Sequence, residues 1–338
     1  MKSLLKNARE QKGLKTREVA QTLGIDQALI SKFESGLRKP TRDQVTRLAN
    51  LLEIDYETLM IAWLKEKILY EIENEEFALK ALTAAEEELK YQKSVSKIKL
   101  SSVLEKTLKE IDILKAQLHT YPKKNYAEIS KTTELEYIFE SNRLDGNSMT
   151  PQETELVINQ GQTISGKSMR EHLEAVNHQE AIRFIKDLQK NNSFNELKLL
   201  SMHNIILRGI NTENAGNYRK KTFLKNENTN IGTEHSIIPK EMQNYFFWYE
   251  VNKNKLHPVI LAAEMHIRLL KICPFAEANE KTARLVMTLI LFQHEYPIAI
   301  IKEKNRKQYE ELTINDNAED FIFFIARTVK ESLENILE

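Results

Sequence analysis

The chain has 338 residues, of which 41% are hydrophobic, 29% charged and 8% aromatic; this length and apolar content predict at least one full-sized core and, by default, two domains. Lys plus Arg and Asp plus Glu both number 49, so the net charge excludes any argument for a nucleic-acid, membrane or acidic partner that is not local. With 9 Gly and 7 Pro, the composition excludes collagen-like and low-complexity classes and favours a mostly helical protein.

Residues 1–64 predict five short helices separated by capping residues. The first residues lack the apolar core and cleavage site of a secretory signal, which predicts a cytoplasmic location. Polar residues that can accept an N-terminal helix N–H stand directly before helical stretches: Thr16, Asp26, Thr41 and Asp55. Gly24 and Gly36 stand where the second and third helices should end, because a left-handed C-cap favours glycine.

Residues 16–36 have the pattern of a helix-turn-helix, whose second helix enters the major groove of DNA. Apolar residues with the spacing of a buried seam are Val19, Ala20, Leu23, Ile25, Ile30 and Phe33. They leave Gln27, Ala28, Ser31 and Lys32 on one outward face. Residues 1–50 hold eleven Lys or Arg against five Asp or Glu, a local positive excess that a phosphate backbone would attract.

Residues 16–55 resemble the lambda-repressor-type (XRE) family over their whole length. The resemblance implies that Gln27, Ala28 and Lys32 read base edges, with Gln able to address adenine and Lys guanine. It implies phosphate contacts from Thr16, Arg17, Arg38, Lys39 and Arg42. It also implies a homodimer on double-stranded DNA, because such units bind paired half-sites. The alternative is a helical protein-interaction module that has lost DNA affinity.

Residues 65–122 predict a helical linker without Pro or Gly until Pro122, with a break near residues 94–102. A helical spacer and a dimerising coil are both compatible with this pattern, although the heptads are irregular. Residues 123–338 predict a second, helical domain. One polar segment interrupts it at residues 225–236, and the ends of that segment look strand-like.

The segment Ile272–Arg284, ICPFAEANEKTAR, carries the chemistry of the second domain. Pro274 fixes a turn before a helix, and small residues flank Glu277, a pattern typical of a helix N-terminus that receives an anion through unpaired N–H groups. The apolar run that follows is too short to cross a bilayer, so no membrane association is predicted. Cys273 is the single cysteine, which forbids internal disulfides and fits a reducing compartment.

Residues 257–297 resemble the Fic family, whose motif runs His-Pro-Phe-x-Asp/Glu-Gly-Asn-Gly-Arg-x-x-Arg. Corresponding segments occur in the family's order at residues 140–150, 166–182, 202–220 and 232–242, so the resemblance covers the chain from about residue 100 to its end. It implies an all-α fold with a small β-hairpin flap at Gly232–Pro239. It also implies transfer of AMP from Mg-ATP to a hydroxyl of a target protein, which could add to the flap as an extra strand.

The resemblance carries over only in part. It implies that Phe275 anchors the motif, Glu277 binds Mg²⁺, Asn279 positions a phosphate and Arg284 holds a terminal phosphate. Four positions depart from the family: Cys273 replaces the general-base histidine, Ala278 the first glycine, Glu280 the second glycine and Lys281 the first arginine. The predicted nucleotide-binding residues are therefore Asn279, Glu280, Lys281 and Arg284, with Cys273 at the catalytic position.

These departures predict impaired chemistry. A thiol is mostly protonated at pH 7, whereas a neutral imidazole can accept a hydroxyl proton, and general-base catalysis contributes about 10²- to 10⁴-fold. Glu280 brings like charge to a phosphate site, and Lys281 lacks the bidentate fork of arginine. The alternative is a reactive Cys273 thiolate, but no histidine is adjacent, and His266, seven residues earlier, is predicted to lie in the core.

Residues 141–147 resemble the Fic inhibitory motif Ser/Thr-x-x-x-Glu-Gly/Asn. The resemblance implies that Ser141, Asp145 and Gly146 form an inhibitory segment in which Asp145 pairs with Arg284 and keeps ATP out of productive geometry. Aspartate is one methylene shorter than glutamate, so a stretched or water-bridged pair is expected. The alternative is a simple turn after a helix.

Three functions follow from this sequence. The first is a DNA-binding regulator with an impaired Fic domain. The second is an active nucleotidyltransferase that the Asp145 segment restrains and that DNA binding localises or regulates. The third is a toxin–antitoxin-like component that pairs with a partner through the long helices. The changes at Cys273, Glu280 and Lys281 favour the first.

Overall fold

The computed structural model describes residues 1–95, 100–189, 194–221, 233–314 and 317–338. Within these ranges the regular elements are helices and no strand occurs, so the predicted all-α class is confirmed. The chain divides into two compact units, Met1–Ser96 and Lys97–Glu338. No helix in the described ranges is long and apolar enough to cross a membrane.

The first unit contains six helices, and their bounds are α1 Lys2–Gln11, α2 Thr16–Leu23, α3 Gln27–Ser35, α4 Arg42–Leu52, α5 Tyr56–Ile72 and α6 Ala78–Val95. The side chains of Asp26, Thr41 and Asp55 cap their helices as predicted. The prediction for Thr16 is wrong, because α2 already includes this residue and the side chain of Glu18 accepts the Lys15 N–H at 2.6 Å.

The core of the first unit lies where the apolar seam predicts it. Val19, Ile30 and Phe33 are buried against α1, α4 and α5, whereas Ile25 is only partly buried. Trp63 reaches this core from α5, and its indole N–H donates to the carbonyl of Pro40 at 2.9 Å. The buried seam therefore turns the other side of α3 toward solvent.

The second unit is a helical bundle, and the bounds of its α-helices are α7 Ser102–Thr120, α8 Lys123–Leu144, α9 Pro151–Gln160, α10 Met169–Gln189, α11 Glu196–Leu207, α12 Ile238–Asn252, α13 Pro258–Ile272, α14 Asn279–Gln293, α15 Arg306–Ile314 and α16 Ala318–Leu337. Helices α13 and α14 pack on each other and are buried over most of their length. Helix α16 packs on α13 and α7, while α10 and α11 pack on α14. The loop that joins α13 to α14 therefore rests on the most buried pair of helices.

Helix α7 is an integral part of the second unit, because Leu104, Leu108 and Ile111 are buried and the helix packs against α16. Sequence patterns placed this helix in the linker of residues 65–122. The domain boundaries drawn there, at residues 64/65 and 122/123, stay predictions.

The predicted β-hairpin flap at Gly232–Pro239 is not seen. Residues 222–232 lie outside the described ranges. The described remainder forms a 3₁₀ turn at His235–Ile237 and enters α12 at Ile238, where Pro239 occupies the first turn. Proline favours this position because its ring presets helical φ. His235 is exposed in the turn.

Candidate functional site

The predicted DNA-reading face is exposed on the first unit. The side chains of Gln27, Ala28, Ser31 and Lys32 all lie at the surface of α3. The amide of Gln27 donates to the hydroxyl of Thr16 at 3.2 Å, which joins the start of α3 to the start of α2.

The predicted phosphate contacts differ in availability. Arg17, Arg38 and Arg42 are exposed. Lys39 is instead engaged within the unit, because its ammonium donates to the carbonyl of Glu66 at 3.0 Å and lies 4.1 Å from the ring centre of Tyr70.

The motif loop, Cys273–Ala278, is bounded by two residues in the left-handed region. Cys273 ends α13 with φ 50° and ψ 59°, and Ala278 precedes α14 with φ 58° and ψ 24°. Such a backbone is unfavourable for residues with a β-carbon and persists where the surroundings impose it. The first turn of α14 has no side-chain cap, which leaves its N–H groups to face a ligand or solvent.

Asn279 and Phe275 hold the motif loop together. The Asn279 amide accepts the Phe275 N–H and donates to the Phe275 carbonyl, both at 2.9 Å, so in this structure it contacts the loop backbone. Phe275 stacks on His203 with ring centres 3.7 Å apart. Burial lowers the pKa of His203 to about 4, so the neutral ring accepts the Gly216 N–H at 3.0 Å and donates to the Glu277 carbonyl at 3.2 Å.

Cys273 lies in this loop as a protonated thiol. Burial raises its pKa, and the nearby positive charge of Arg219 only partly offsets that effect. The guanidinium of Arg219 is buried; it donates to the Cys273 carbonyl at 2.8 Å, to the Lys221 carbonyl at 2.9 Å and to the Thr233 carbonyl. Sequence reasoning missed this residue, although it lies in the segment at residues 202–220 that carries the family resemblance.

Arg284 is buried and contacts the inhibitory segment, Ser141–Asn147. Its Nε donates to the Ser141 hydroxyl at 2.8 Å, and its Nη2 donates to the Ser141 carbonyl at 3.0 Å and to both carboxylate oxygens of Asp145 at 2.8 and 2.9 Å. The expectation of a stretched or water-bridged pair is therefore wrong. The ammonium of Lys281 also lies 3.2 Å from Asp145, a contact that sequence reasoning did not foresee.

Two cations thus share one carboxylate. Burial opposes ionisation of Asp145, but the charges of Arg284 and Lys281 outweigh it and hold the pKa of that carboxyl below its usual range. The Glu280 carboxylate is more than half exposed and lies 4.0 Å from the nearest nitrogen of Arg284. The phosphate-binding cations of the prediction are therefore neutralised mainly by Asp145.

Buried histidines surround this cluster. Burial, together with the charges of Lys281 and Arg284, lowers the pKa of His178 well below its usual value. His178 contacts the Asn142 side chain at 3.2 Å and was missed from sequence. His266 is fully buried and contacts the Tyr309 hydroxyl at 2.9 Å, so its predicted place in the core is confirmed.

The residues at the predicted metal position do not fit a divalent cation. Mg²⁺ prefers carboxylate oxygens together with substrate phosphates and retained waters. One oxygen of Glu277 accepts a hydrogen bond from Arg170 at 3.0 Å, and the other accepts one from Asn211. In the described ranges no group of three or more His, Cys, Asp or Glu side chains could hold a metal ion.

Two parts of the chain match models of known families. Residues 193–291 match the model of the Fic/DOC family, and residues 3–62 match that of a helix-turn-helix domain. The chain carries a helix-turn-helix domain and a Fic/DOC domain.

Among curated proteins, the Fic domain and its flanks are similar to protein adenylyltransferases Fic. The one from Nematostella vectensis is 29% identical over 213 residues, covering 61% of this chain and 49% of the relative. The one from Drosophila mojavensis is 29% identical over 209 residues, covering 60% and 41%. The chain thus spans about half or less of the length of the curated relatives it matches.

Solved structures share the fold. A Fic domain-containing signaling protein from Bacteroides thetaiotaomicron aligns with a TM-score of 0.63 at 22% identity, over 68% of this chain and 95% of that one. A Fic-1 fragment from C. elegans aligns with a TM-score of 0.65 at 19% identity, over 99% and 96%.

The Fic domain assembles the predicted residues into two places. Ser141, Asp145, Lys281 and Arg284 form one cluster, which we call the Asp145 cluster. Glu277 instead belongs to a network with residues that sequence reasoning missed, Arg170 and Asn211, and no motif in the sequence links these distant positions.

Proposed function

We propose that the protein is a DNA-binding regulator whose Fic domain is a nucleotide-binding module with impaired AMP transfer. The observation that carries this proposal is the cysteine at the position of the family's general base, where burial raises the pKa of the Cys273 thiol and keeps it protonated at neutral pH. Two nearby histidines do not replace it, because His203 is bonded to Gly216 and Glu277, and His266 is bonded to Tyr309.

The uncapped first turn of α14 supports nucleotide binding. Its N–H groups and positive dipole favour a phosphate, and Arg284 and Lys281 would supply charge once Asp145 withdraws. In the closed arrangement Asp145 occupies both cations, so a phosphate must displace it. Because Glu277 is engaged by Arg170 and Asn211, the proposal includes no step through Mg²⁺.

Transfer to a protein hydroxyl would need a proton acceptor near the attacking oxygen. The Cys273 thiol still holds its own proton at neutral pH and cannot accept another. The remaining contributions would be positioning of the phosphate chain by the α14 N-terminus and charge stabilisation by Arg284. Strand addition at the flap is not part of the proposal, because Thr233–Pro239 is a turn and a helix start.

Labelled ATP with divalent cation in the buffer tests the catalytic half. We expect the natural chain and Asp145→Ala to label themselves about 10²- to 10⁴-fold more slowly than Cys273→His/Asp145→Ala, because this factor is the usual contribution of a general base. Cys273→Ser/Asp145→Ala is the matched control and should label itself equally slowly. Labelling by the natural chain at the rate of the histidine variant would contradict impaired chemistry.

The second candidate is an active adenylyltransferase that Asp145 restrains. The direct contact of Asp145 with both Arg284 and Lys281 favours it, because an inhibitory pair has a purpose only if the cleft has an activity. The same assay separates the two: labelling by Asp145→Ala alone, with Cys273 intact, at the rate of Cys273→His/Asp145→Ala would support this candidate and exclude the first.

The DNA half of the proposal rests on the exposed face of α3 and the local positive charge. It includes a homodimer, which is supported by Ile61, Leu64 and Ile68, exposed on one face of α5 at helical spacing.

In filter binding across salt concentrations, Lys32→Ala should cost about 1–3 kcal/mol of binding free energy on the preferred sequence alone. Arg38→Ala should weaken all sequences alike and reduce the salt slope by about one.

Lys109→Ala, an exposed lysine on α7 of the second unit, is the matched control for these variants. Its binding should equal that of the natural chain. If the affinity of the natural chain for DNA does not fall with salt concentration, DNA binding is contradicted and the protein-interaction alternative is favoured. Neutralisation of phosphates by Lys and Arg always makes DNA affinity depend on salt.

A further inference from the structure

The environment of Glu277 is unlike that of a metal ligand. The Arg170 guanidinium donates to one carboxylate oxygen at 3.0 Å and the Asn211 amide donates to the other. Arg170 is placed by the first turn of α10, far from the motif loop in sequence. In this arrangement a cation compensates the negative charge of the carboxylate, and each carboxylate oxygen directs one lone pair at a donor.

A second carboxylate fixes Arg170 in this position. The Nε of Arg170 donates to the Glu174 carboxylate at 3.0 Å. The same carboxylate accepts a hydrogen bond from the Asn147 amide at 2.9 Å. The guanidinium therefore bridges two carboxylates from the protein surface, with its side chain 58% exposed. A divalent cation at Glu277 would have to displace Arg170 and would gain one carboxylate, whereas Mg²⁺ sites combine carboxylates with further oxygen ligands.

We propose that Arg170 occupies the cation position at Glu277 in place of a divalent metal ion. The guanidinium supplies the positive charge of the cleft on this side, and a nucleotide phosphate chain is received without a protein-bound metal. This inference rests on the proposed nucleotide-binding function of the cleft. The contact between the protein and a metal ion can nevertheless be measured without nucleotide.

Mn²⁺ titration followed by electron paramagnetic resonance of the free ion tests the proposal on the full chain. The natural protein and Glu277→Gln should bind Mn²⁺ indistinguishably, through scattered surface acids only. Arg170→Gln should gain a site whose affinity exceeds that background by about tenfold or more, because the change removes a positive charge that repels a divalent cation from Glu277 and Glu174. Arg170→Gln/Glu277→Gln should lose the gained site.

Arg183→Gln is the matched control, since Arg183 is an exposed arginine further along α10, and it should gain no site. A Mn²⁺ ion that binds the natural chain and is lost in Glu277→Gln would overturn the proposal, and this comparison needs no Arg170 variant to fold. A folded Arg170→Gln without a new site would overturn it as well. If ATP fails to bind at all, the proposed nucleotide function fails, while the Mn²⁺ comparison still decides the role of Arg170.

Discussion

Ala278 stands where the Fic motif has its first glycine, and its backbone shows why a glycine suits this position. The φ of 58° lies in the left-handed region, which costs a residue with a β-carbon roughly 1–2 kcal/mol. We expect Ala278→Gly to raise the free energy of unfolding of the second unit by about 1 kcal/mol, because removal of the β-carbon relieves this strain.

Ala276→Gly is the matched control in the same loop. Ala276 is not among the residues with positive φ, so the change should lower the free energy of unfolding by about 0.5–1 kcal/mol through the entropy of the unfolded chain. Denaturant unfolding in a Trp63→Phe background reports the second unit through Trp248. If Ala278→Gly and Ala276→Gly change the free energy of unfolding by the same amount, the backbone conformation at Ala278 carries no strain.

The contact of Asp145 with Arg284 could be expected from the family resemblance, but its directness could not. The shorter side chain reaches the guanidinium because the last turn of α8 lies against it, as the 3.0 Å contact from Arg284 to the backbone carbonyl of Ser141 shows. Backbone placement, which a motif does not encode, replaces the missing methylene. The Lys281 contact escaped prediction because that residue was compared only with the arginine of the family.

At the scale of elements, the C-terminal end of α8 is held from outside by Arg306 at the start of α15. Its Nη2 donates to the carbonyls of Arg143 at 2.5 Å and Leu144 at 2.8 Å, and a cation at a helix C-terminus also complements the helix dipole. These carbonyls directly precede Asp145. Arg306 therefore holds the end of α8 that presents the predicted inhibitory residue Asp145.

We expect Arg306→Ala to destabilise the second unit by about 1 kcal/mol and to speed hydrogen exchange at the turn that presents Asp145. The amides to follow are those of Asp145, Gly146 and Asn147, which are bonded to carbonyls in the last turn of α8. Arg327→Ala, at an exposed arginine of α16, should leave their exchange unchanged. Unaltered exchange in Arg306→Ala would show that Arg284 alone holds the segment.

Helix ends were predictable where one residue decides them. Gly24 and Gly36 adopt φ of 64° and 80° as left-handed caps, as expected. Thr16 was misjudged because the Glu18 side chain, two residues further on, accepts the N–H of Lys15, so the helix begins at Thr16. The strand predicted before Pro239 failed because a short polar segment has no pattern that separates a strand from a 3₁₀ turn followed by a helix.

At the scale of the whole molecule, composition and motif order were sufficient for the fold class and for the two kinds of domain. Composition and motif order did not predict the polar network around Glu277. Arg170 and Asn211 approach Glu277 only because α10 and α11 pack against α14. Contacts between positions separated by more than 60 residues depend on tertiary structure, and a single sequence contains no periodicity that reports them.

Buried histidines predict different acid sensitivities for the two units. All eight histidines lie in the second unit. Burial lowers the pKa of His203 to about 4 and, with the charge of Arg284, that of His266 to about 3, and it lowers the pKa of His178 as well. The folded unit keeps these rings neutral, whereas the unfolded chain protonates them near pH 6.5.

Below pH 6.5 the unfolded state therefore binds protons that the folded state does not, and the free energy of unfolding of the second unit should fall. Each of the three rings contributes up to about 1.4 kcal/mol per pH unit until the pH reaches its folded pKa. Between pH 6.5 and 5, denaturant unfolding followed by Trp248 in Trp63→Phe should shift strongly. Unfolding followed by Trp63 in Trp248→Phe should stay nearly constant, because the first unit has no histidine, the side chain whose ordinary pKa lies closest to this range. A common pH dependence of both transitions would show that the two units unfold together or that the rings are protonated in the folded state.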